Sequence, residues 1–165
     1  MTRNRQDHIF DTWIAQHKGL LFKIVRAYAF NPEDRDDLFQ EISLQLWNSI
    51  PAFRGESSVP TWIYRVALYA AIAWTRREKK HRIVKQPIAD HEHLLVESSS
   101  AFDARLDWLY EQIARLNEID RSLALLLLEG FSYKEMAEIL GISESNVGVK
   151  INRLKKHLTK IAGEL

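Results

Sequence analysis

The chain reads as all-α: two small helical bundles joined by a flexible linker. Six Gly and four Pro in 165 residues are too few for a turn-rich β-sandwich and leave room for long uninterrupted helices. Apolar residues recur at three- and four-residue steps, as helices with one buried face require. That period fails in the middle, around Pro87 and the triplet Ser98, Ser99 and Ser100, where a polar, acidic and His-containing run has the composition of a connector. The expected division is 1–82, a linker over 83–101, and 102–165. Each bundle is near or below about 80 residues, so each core is marginal alone. Five Trp help to fill them.

The first helix is expected over about 7–28, with Leu20, Leu21, Ile24, Val25 and Tyr28 on its buried face. The second has a legible start: Asn31 caps, Pro32 fits the first helical position, and Glu33 and Asp34 favour the positive end of the dipole. Its stripe is Leu38, Ile42 and Leu46, flanked by Phe39 and Trp47, and Pro51 closes it. After the polar loop FRGESSVP, a third helix is expected over about 60–82. Trp62, Val66 and Ala70 mark one face, with Ile63, Ala67 and Trp74 beside them. Beyond the linker, helices are expected over about 102–116 and 120–129, the latter with Leu123, Leu126 and Leu127 inward.

The last part of the chain spells a sharper pattern. Ser132 to Glu135 fits a capping box, and a short helix follows with Met136, Ala137 and Leu140 inward. Gly141 suits the left-handed position past its end. Ser143 caps the next helix, with Ile142 and Val147 placed as a hydrophobic staple. Short helix, tight corner, long helix is the spacing of a helix-turn-helix. On the long helix Val147, Ile151, Leu154, Leu158 and Ile161 form the buried seam. Ser145, Asn146, Val149, Lys150, Asn152, Arg153 and Lys156 fall outside it. Residues at the start of such a helix reach base edges in a major groove, and cations farther along hold phosphates. A solvated basic face, favoured by the helix dipole, is the plainer alternative.

Charge is uneven although the net is only +1. Residues 76–85 hold six Lys/Arg against one acid, 86–120 hold two against eight acids, and 146–162 hold five and no acid. Blocks of opposite sign point to separate surfaces with separate partners. In the first bundle Tyr64, Arg65, Tyr69, Trp74, Arg76, Arg77, Lys79 and Lys80 interleave rings with cations. That mixture suits unpaired nucleic acid, where rings stack on bases and cations follow the backbone; the plainer reading makes the Trp side chains core and the cations a solvated helix end.

The chain has no Cys, which removes disulfides and thiolate metal sites. No stretch nears the ~20 apolar residues of a membrane span, and the N-terminus lacks a signal-peptide run. A cytoplasmic protein without membrane insertion is expected. Asp90, His91, Glu92 and His93 are the one cluster worth inspecting for a metal, but no further ligands at a helical spacing join them. No nucleophile–base pair or Gly-rich phosphate loop occurs. No enzyme activity, metal or cofactor is expected.

Taken in order, DDLFQEISLQLW, FRGESSVPTWIYRVA, the RR pair, and LNEIDRSLALLLLEGFSYKEMAEILGISESNVGVKINRLKKHL resemble the bacterial extracytoplasmic-function sigma factors of the sigma-70 family. The resemblance runs from about Leu20 to Leu158 and includes the two-domain layout. It implies a region 2-like domain, a region 4-like helix-turn-helix domain, and an initiation factor that gives core RNA polymerase its promoter selectivity. By that resemblance Asp37, Leu38, Gln40, Glu41, Leu44 and Trp47 match the positions that dock on the clamp helices of the largest polymerase subunit. Phe53, Arg54, Gly55, Glu56, Ser57 and Ser58, with Arg65, Tyr69, Trp74, Arg76 and Arg77 on the following helix, match the grip on the melted strand of the minus ten element. The last helix from Ser143 matches the reader of the minus thirty-five duplex, and an anti-sigma partner is implied. Departures occur at Pro60, Tyr69, Ala73 and Gly148, and they bear on promoter choice. Gly148 costs a helix about 1 kcal/mol against Ala, so close backbone approach to DNA is one reason for it. A stand-alone DNA-binding regulator, dimerising through its first bundle, is the rival reading; it would bind promoter duplex without polymerase.

Overall fold

The computed structural model describes residues 1–85 and 101–164. These residues are helical with short connections and fall into two compact units, Met1–Val96 and Glu97–Leu165. The expected linker lies almost wholly outside the described residues, as do Asp90, His91, Glu92 and His93.

The first unit is a three-helix bundle of α1 (Arg3–Tyr28), α2 (Pro32–Ser49) and α3 (Val59–Lys85), with a 3-10 turn at Ile50–Ala52 after α2. Each pair of these helices packs together. α1 is not straight: His17 has φ −122° and ψ 21°, so two helical stretches meet at a kink. α2 starts as its sequence dictates, with Asn31 Oδ1 accepting from the Asp34 amide at 2.8 Å and Pro32 in the first turn. Arg35 Nε donates to the Ala29 carbonyl at 3.1 Å, tying this start to the end of α1. Burial, and then the nearby Arg26 charge, push the Arg35 pKa below its ordinary value.

The core collects Leu21, Ile24 and Tyr28 from α1, Leu38, Ile42 and Leu46 from α2, and Ile63, Tyr64, Ala67 and Leu68 from α3. Each fully buried Leu or Ile contributes about 1.5–3 kcal/mol of transfer free energy. The buried face of α3 is rotated from the expected one. Ile63, Tyr64, Ala67 and Ala71 are inside, while Trp62 and Val66 are only half-buried. The reason is that α3 touches both α1 and α2, so its apolar arc is wider than one stripe.

The second unit holds α4 (Ala101–Ala114), α5 (Glu118–Leu128), α6 (Tyr133–Leu140) and α7 (Glu144–Gly163). α5 starts earlier than its apolar run implies, because Asn117 caps it by accepting from the Asp120 amide at 2.9 Å. Leu123, Leu125 and Leu126 are buried and Leu127 is only half-buried. In α6, Ile139 takes the inward place expected of Ala137. Ser132 and Ser143 cap as expected, accepting from the Glu135 amide at 3.1 Å and the Asn146 amide at 3.0 Å. Gly141 has φ +68°, a left-handed conformation that a Cβ would strain. The seam of α7 is buried at Val147, Ile151 and Leu154 and half-buried at Leu158 and Ile161.

Arg121 is a buried charge among the described residues of this unit, 7% exposed. Its Nη2 donates to the carbonyls of Ala114 at 2.7 Å and Leu116 at 3.1 Å, where α4 has run out of intrahelical donors. Hydrogen bonds from a charged group contribute about 1.5–3 kcal/mol, so Arg121→Leu is expected to destabilise the second unit by that amount. Amide hydrogen exchange should accelerate in α4 and α5 and stay unchanged in α1 to α3.

Candidate functional site

The residues singled out by the sequence lie on three surfaces, one on α2, one on the loop after it with α3, and one on α7. On α2 the outward side presents Asp37, Gln40 and Leu44, the last 53% exposed. Single exposed apolar side chains are ordinary on a protein surface, so Leu44 belongs to this outward face without marking a contact by itself. Leu38 is not part of it. It is completely buried, because it sits with Ile42 and Leu46 on the stripe facing the bundle, so its expected docking role is corrected to core packing. Trp47 is half-buried, and its Nε1 donates to Asp7 Oδ1 of α1 at 2.8 Å.

Two acids of α2 are engaged with α3. Asp37 Oδ2 accepts from Trp74 Nε1 at 2.9 Å, and Glu41 Oε1 lies 3.3 Å from Arg77 Nη2. Trp74 itself is 5% exposed. It was expected to stack on a melted strand, yet its ring is core, and only its N–H is used, toward Asp37. Arg65, Tyr69, Arg76 and Arg77 are exposed.

In the loop, Gly55 has φ +73° and turns the chain, leaving Arg54, Glu56 and Ser58 exposed and Ser57 half-buried. Phe53 is anchored instead. Its ring meets Trp13 edge-on at 5.3 Å and Trp62 at 5.4 Å. Ser58 is also committed structurally, as its Oγ accepts from the Thr61 amide and donates to Thr61 Oγ1, capping α3. Beside the loop, α2 and α3 enclose a groove of about 630 Å³. Arg65, Tyr69 and Arg77 line it from α3, Glu41, Gln45 and Asn48 from α2, with Trp62 and Ala70 among its apolar walls. Gln45 and Asn48 were missed. Gln45 lies four residues beyond Glu41 and Asn48 three beyond Gln45, and that helical spacing was the signal that could have found them.

On α7, Ser143, Ser145, Asn146, Val149, Asn152, Arg153 and Lys156 are exposed and Lys150 is half-buried. All eight lie outside the buried seam, and Ser143 spends its hydroxyl on the cap. A Cβ at Gly148 would meet only the Tyr133 ring, at 3.8 Å, an ordinary contact. The protein interior therefore does not demand glycine there. Among the described residues no group of three or more His, Asp or Glu is placed to hold a metal ion, and no helix is long and apolar enough to cross a membrane.

The comparisons with known proteins fall on the same two units. The family model described as Sigma-70 region 2 matches residues 13–81, and that described as Sigma-70, region 4 matches residues 106–158. The RNA polymerase sigma factor YlaC of Bacillus subtilis is 30% identical, with 94% of each chain covered. The chain belongs to the extracytoplasmic-function sigma factors of the sigma-70 family. The ECF RNA polymerase sigma factor SigM of Mycobacterium tuberculosis is 25% identical over 96% of this chain and 79% of that one. Among solved structures, the sigma factor RpoE of Bartonella quintana, crystallised with the anti-sigma factor NepR, shares the fold. Its TM-score is 0.69 at 17% identity, over 93% of this chain and 96% of that one. The sigma factor family consists of transcription initiation factors rather than enzymes, and its members direct RNA polymerase to promoters.

Two measurements check this geometry. Gly148→Ala is expected to raise the stability of the second unit by about 0.5–1 kcal/mol, as helix propensity dictates when the added methyl meets no obstacle; a thermal melt reads it. Trp74→Ala is expected to cost about 3–5 kcal/mol through its cavity, whereas Arg65→Ala should leave the melt within about 0.5 kcal/mol of wild type.

Proposed function

We propose that this sigma factor splits its work between its two units. The first carries core RNA polymerase on the outer side of α2, through Asp37, Gln40, Glu41 and Leu44. It grips the melted minus ten strand through the 53–58 loop with Arg65, Tyr69, Arg76 and Arg77. The second unit, residues 102–165, lays α7 in the major groove of the minus thirty-five element. The chain itself supplies no catalysis; the polymerase does. Its working place is the cytoplasm, with the polymerase, and an anti-sigma factor holds it inactive, in keeping with the capture of RpoE by NepR.

The observation that carries the reading is the exposed face of α7 beyond Glu144, where every charge is positive. Asn146, Asn152, Arg153 and Lys156 project from a helix whose other side is locked by Val147, Ile151 and Leu154. Asn side chains present paired donors and acceptors to base edges, and Arg and Lys meet phosphates or guanine. A helix so capped at Ser143, with its apolar side buried, has the rigidity that groove readout needs.

Two experiments test the two halves. Lys150→Gln with Arg153→Gln is expected to flatten the log–log salt dependence of holoenzyme binding to promoter duplex by about 1 per cation removed. An unchanged slope would remove α7 from the DNA. For docking, Asp37 and Glu41 are poor targets because each also holds α3, so Leu44→Asp is the cleaner change. It should cut co-purification with core polymerase about tenfold or more, in line with loss of a desolvated anchor, at an unchanged thermal melt; wild-type recovery would refute the docking face.

A further inference from the structure

The N-terminal arm of α1 has no part in the proposed function, yet the best-formed long-range contacts of the first unit converge on it. Gln6 is buried at 8% exposure, which is rare for a side-chain amide without partners. Its Nε2 donates to the backbone carbonyl of Trp47 at 2.7 Å. The next residue, Asp7, accepts from Trp47 Nε1 at 2.8 Å. One turn of α1 therefore holds both the main chain and the indole of Trp47, at the point where α2 gives way to the 3-10 turn. Two turns on, Trp13 presses edge-on against Phe53 at 5.3 Å, at the start of the 53–58 loop. All three contacts lie before the kink at His17, while the core residues Leu21, Ile24 and Tyr28 lie beyond it.

We propose that residues 3–16 form a positioning arm, with Gln6 and Asp7 as positioning residues that set the end of α2 for polymerase docking and Trp13 as the residue that sets the loop for strand capture. The physics is specific. An indole N–H meeting a carboxylate is a charge-assisted bond, shorter and stronger than a neutral one. The Trp47 carbonyl is a helix-end acceptor that would otherwise rely on the Ile50 amide alone. Removing the arm's contacts leaves the Leu21, Ile24 and Leu38 core in place but frees Trp47 to change rotamer and the turn at Ile50–Ala52 to shift. The bundle then stays folded while its contact surface loses definition.

The inference rests on the docking face proposed above, and the test keeps the two apart. Asp7→Leu removes the acceptor, Asp7→Asn retains an oxygen that accepts from the indole, and Ile24→Val is a core change that destabilises modestly without touching the arm. Core-polymerase affinity, the indole N–H resonance of Trp47 in 15N-labelled protein, assigned by its loss in Trp47→Phe, and the thermal melt are measured on the full chain with the other Trp side chains intact. Asp7→Leu is expected to weaken core binding about tenfold, as the loss of one charged hydrogen bond from a preorganised site does. It should also move the Trp47 indole proton upfield, as loss of its hydrogen bond to Asp7 requires. Asp7→Asn, which keeps a neutral acceptor, should recover part of both, and Ile24→Val should leave both at wild type despite its lower melting temperature. Wild-type affinity in Asp7→Leu, or an equal loss in Ile24→Val, would overturn the positioning role. Leu44→Asp run in parallel separates the failures. If it weakens core binding and Asp7→Leu does not, only the arm is wrong; if it leaves binding intact, the docking face is wrong and the arm's role falls with it.

Discussion

Three indole N–H groups hold α2 in place, and the first unit's surfaces depend on them. Trp47 reaches back to Asp7 of α1, Trp74 reaches from α3 to Asp37, and Trp62 reaches from α3 to Ser49 at 3.1 Å. Each ring supplies apolar area to the bundle while its single polar atom finds an acceptor, as buried Trp requires. The acceptors sit near the start and end of α2 and on the neighbouring arm, so the helix is fixed along its length. Packing by Leu38, Ile42 and Leu46 supplies the bulk of the free energy but is tolerant of small slides. The indole bonds are not, because their geometry decays steeply with angle.

This arrangement explains why candidate contact residues are entangled with structural ones. Asp37 and Glu41 face α3 as well as the outside, through Trp74 and Arg77. The Glu41–Arg77 pair has its Arg side chain 59% exposed, so it is screened and contributes at most about 1 kcal/mol. A partner that offers Glu41 or Arg77 a better counter-charge meets little resistance. The second unit solves its problem differently. Its short helices rely on caps at Asn117, Ser132 and Ser143 and on Arg121 closing the end of α4. That economy leaves one whole side of α7 free of structural duty.

Much of the fold was legible. Asn31-Pro32, Ser132 and Gly141-Ile142-Ser143 encode caps through local chemistry, and local chemistry can be read from neighbours in sequence. The helix-turn-helix and the polar side of α7 follow from the same reasoning. What escaped depends on long-range packing. Leu38 and Trp74 carry two readings in the sequence, a buried one from helical phase and a docking or stacking one from the motif, and only contact with a second helix decides for the buried one. Tyr64 was read among the surface rings and is fully buried, because α3 buries a wide arc against two neighbours. The roles of Gln6 and Asp7 could not be read at all, since their partner Trp47 lies about forty residues away and neither side chain announces its partner. The groove residues Gln45 and Asn48 had only their spacing from Glu41 to betray them.

The central claim is that one unit opens strands while the other reads intact duplex, both in the company of core polymerase. Permanganate and nuclease footprints on a single promoter complex, formed with and without core, test it most directly. The account predicts reactive thymines confined to the minus ten element, nuclease protection without thymine reactivity over the minus thirty-five element, and neither pattern when core is left out. Protection of the upstream element by the chain alone at the same concentration, or no thymine reactivity with core present, would contradict it.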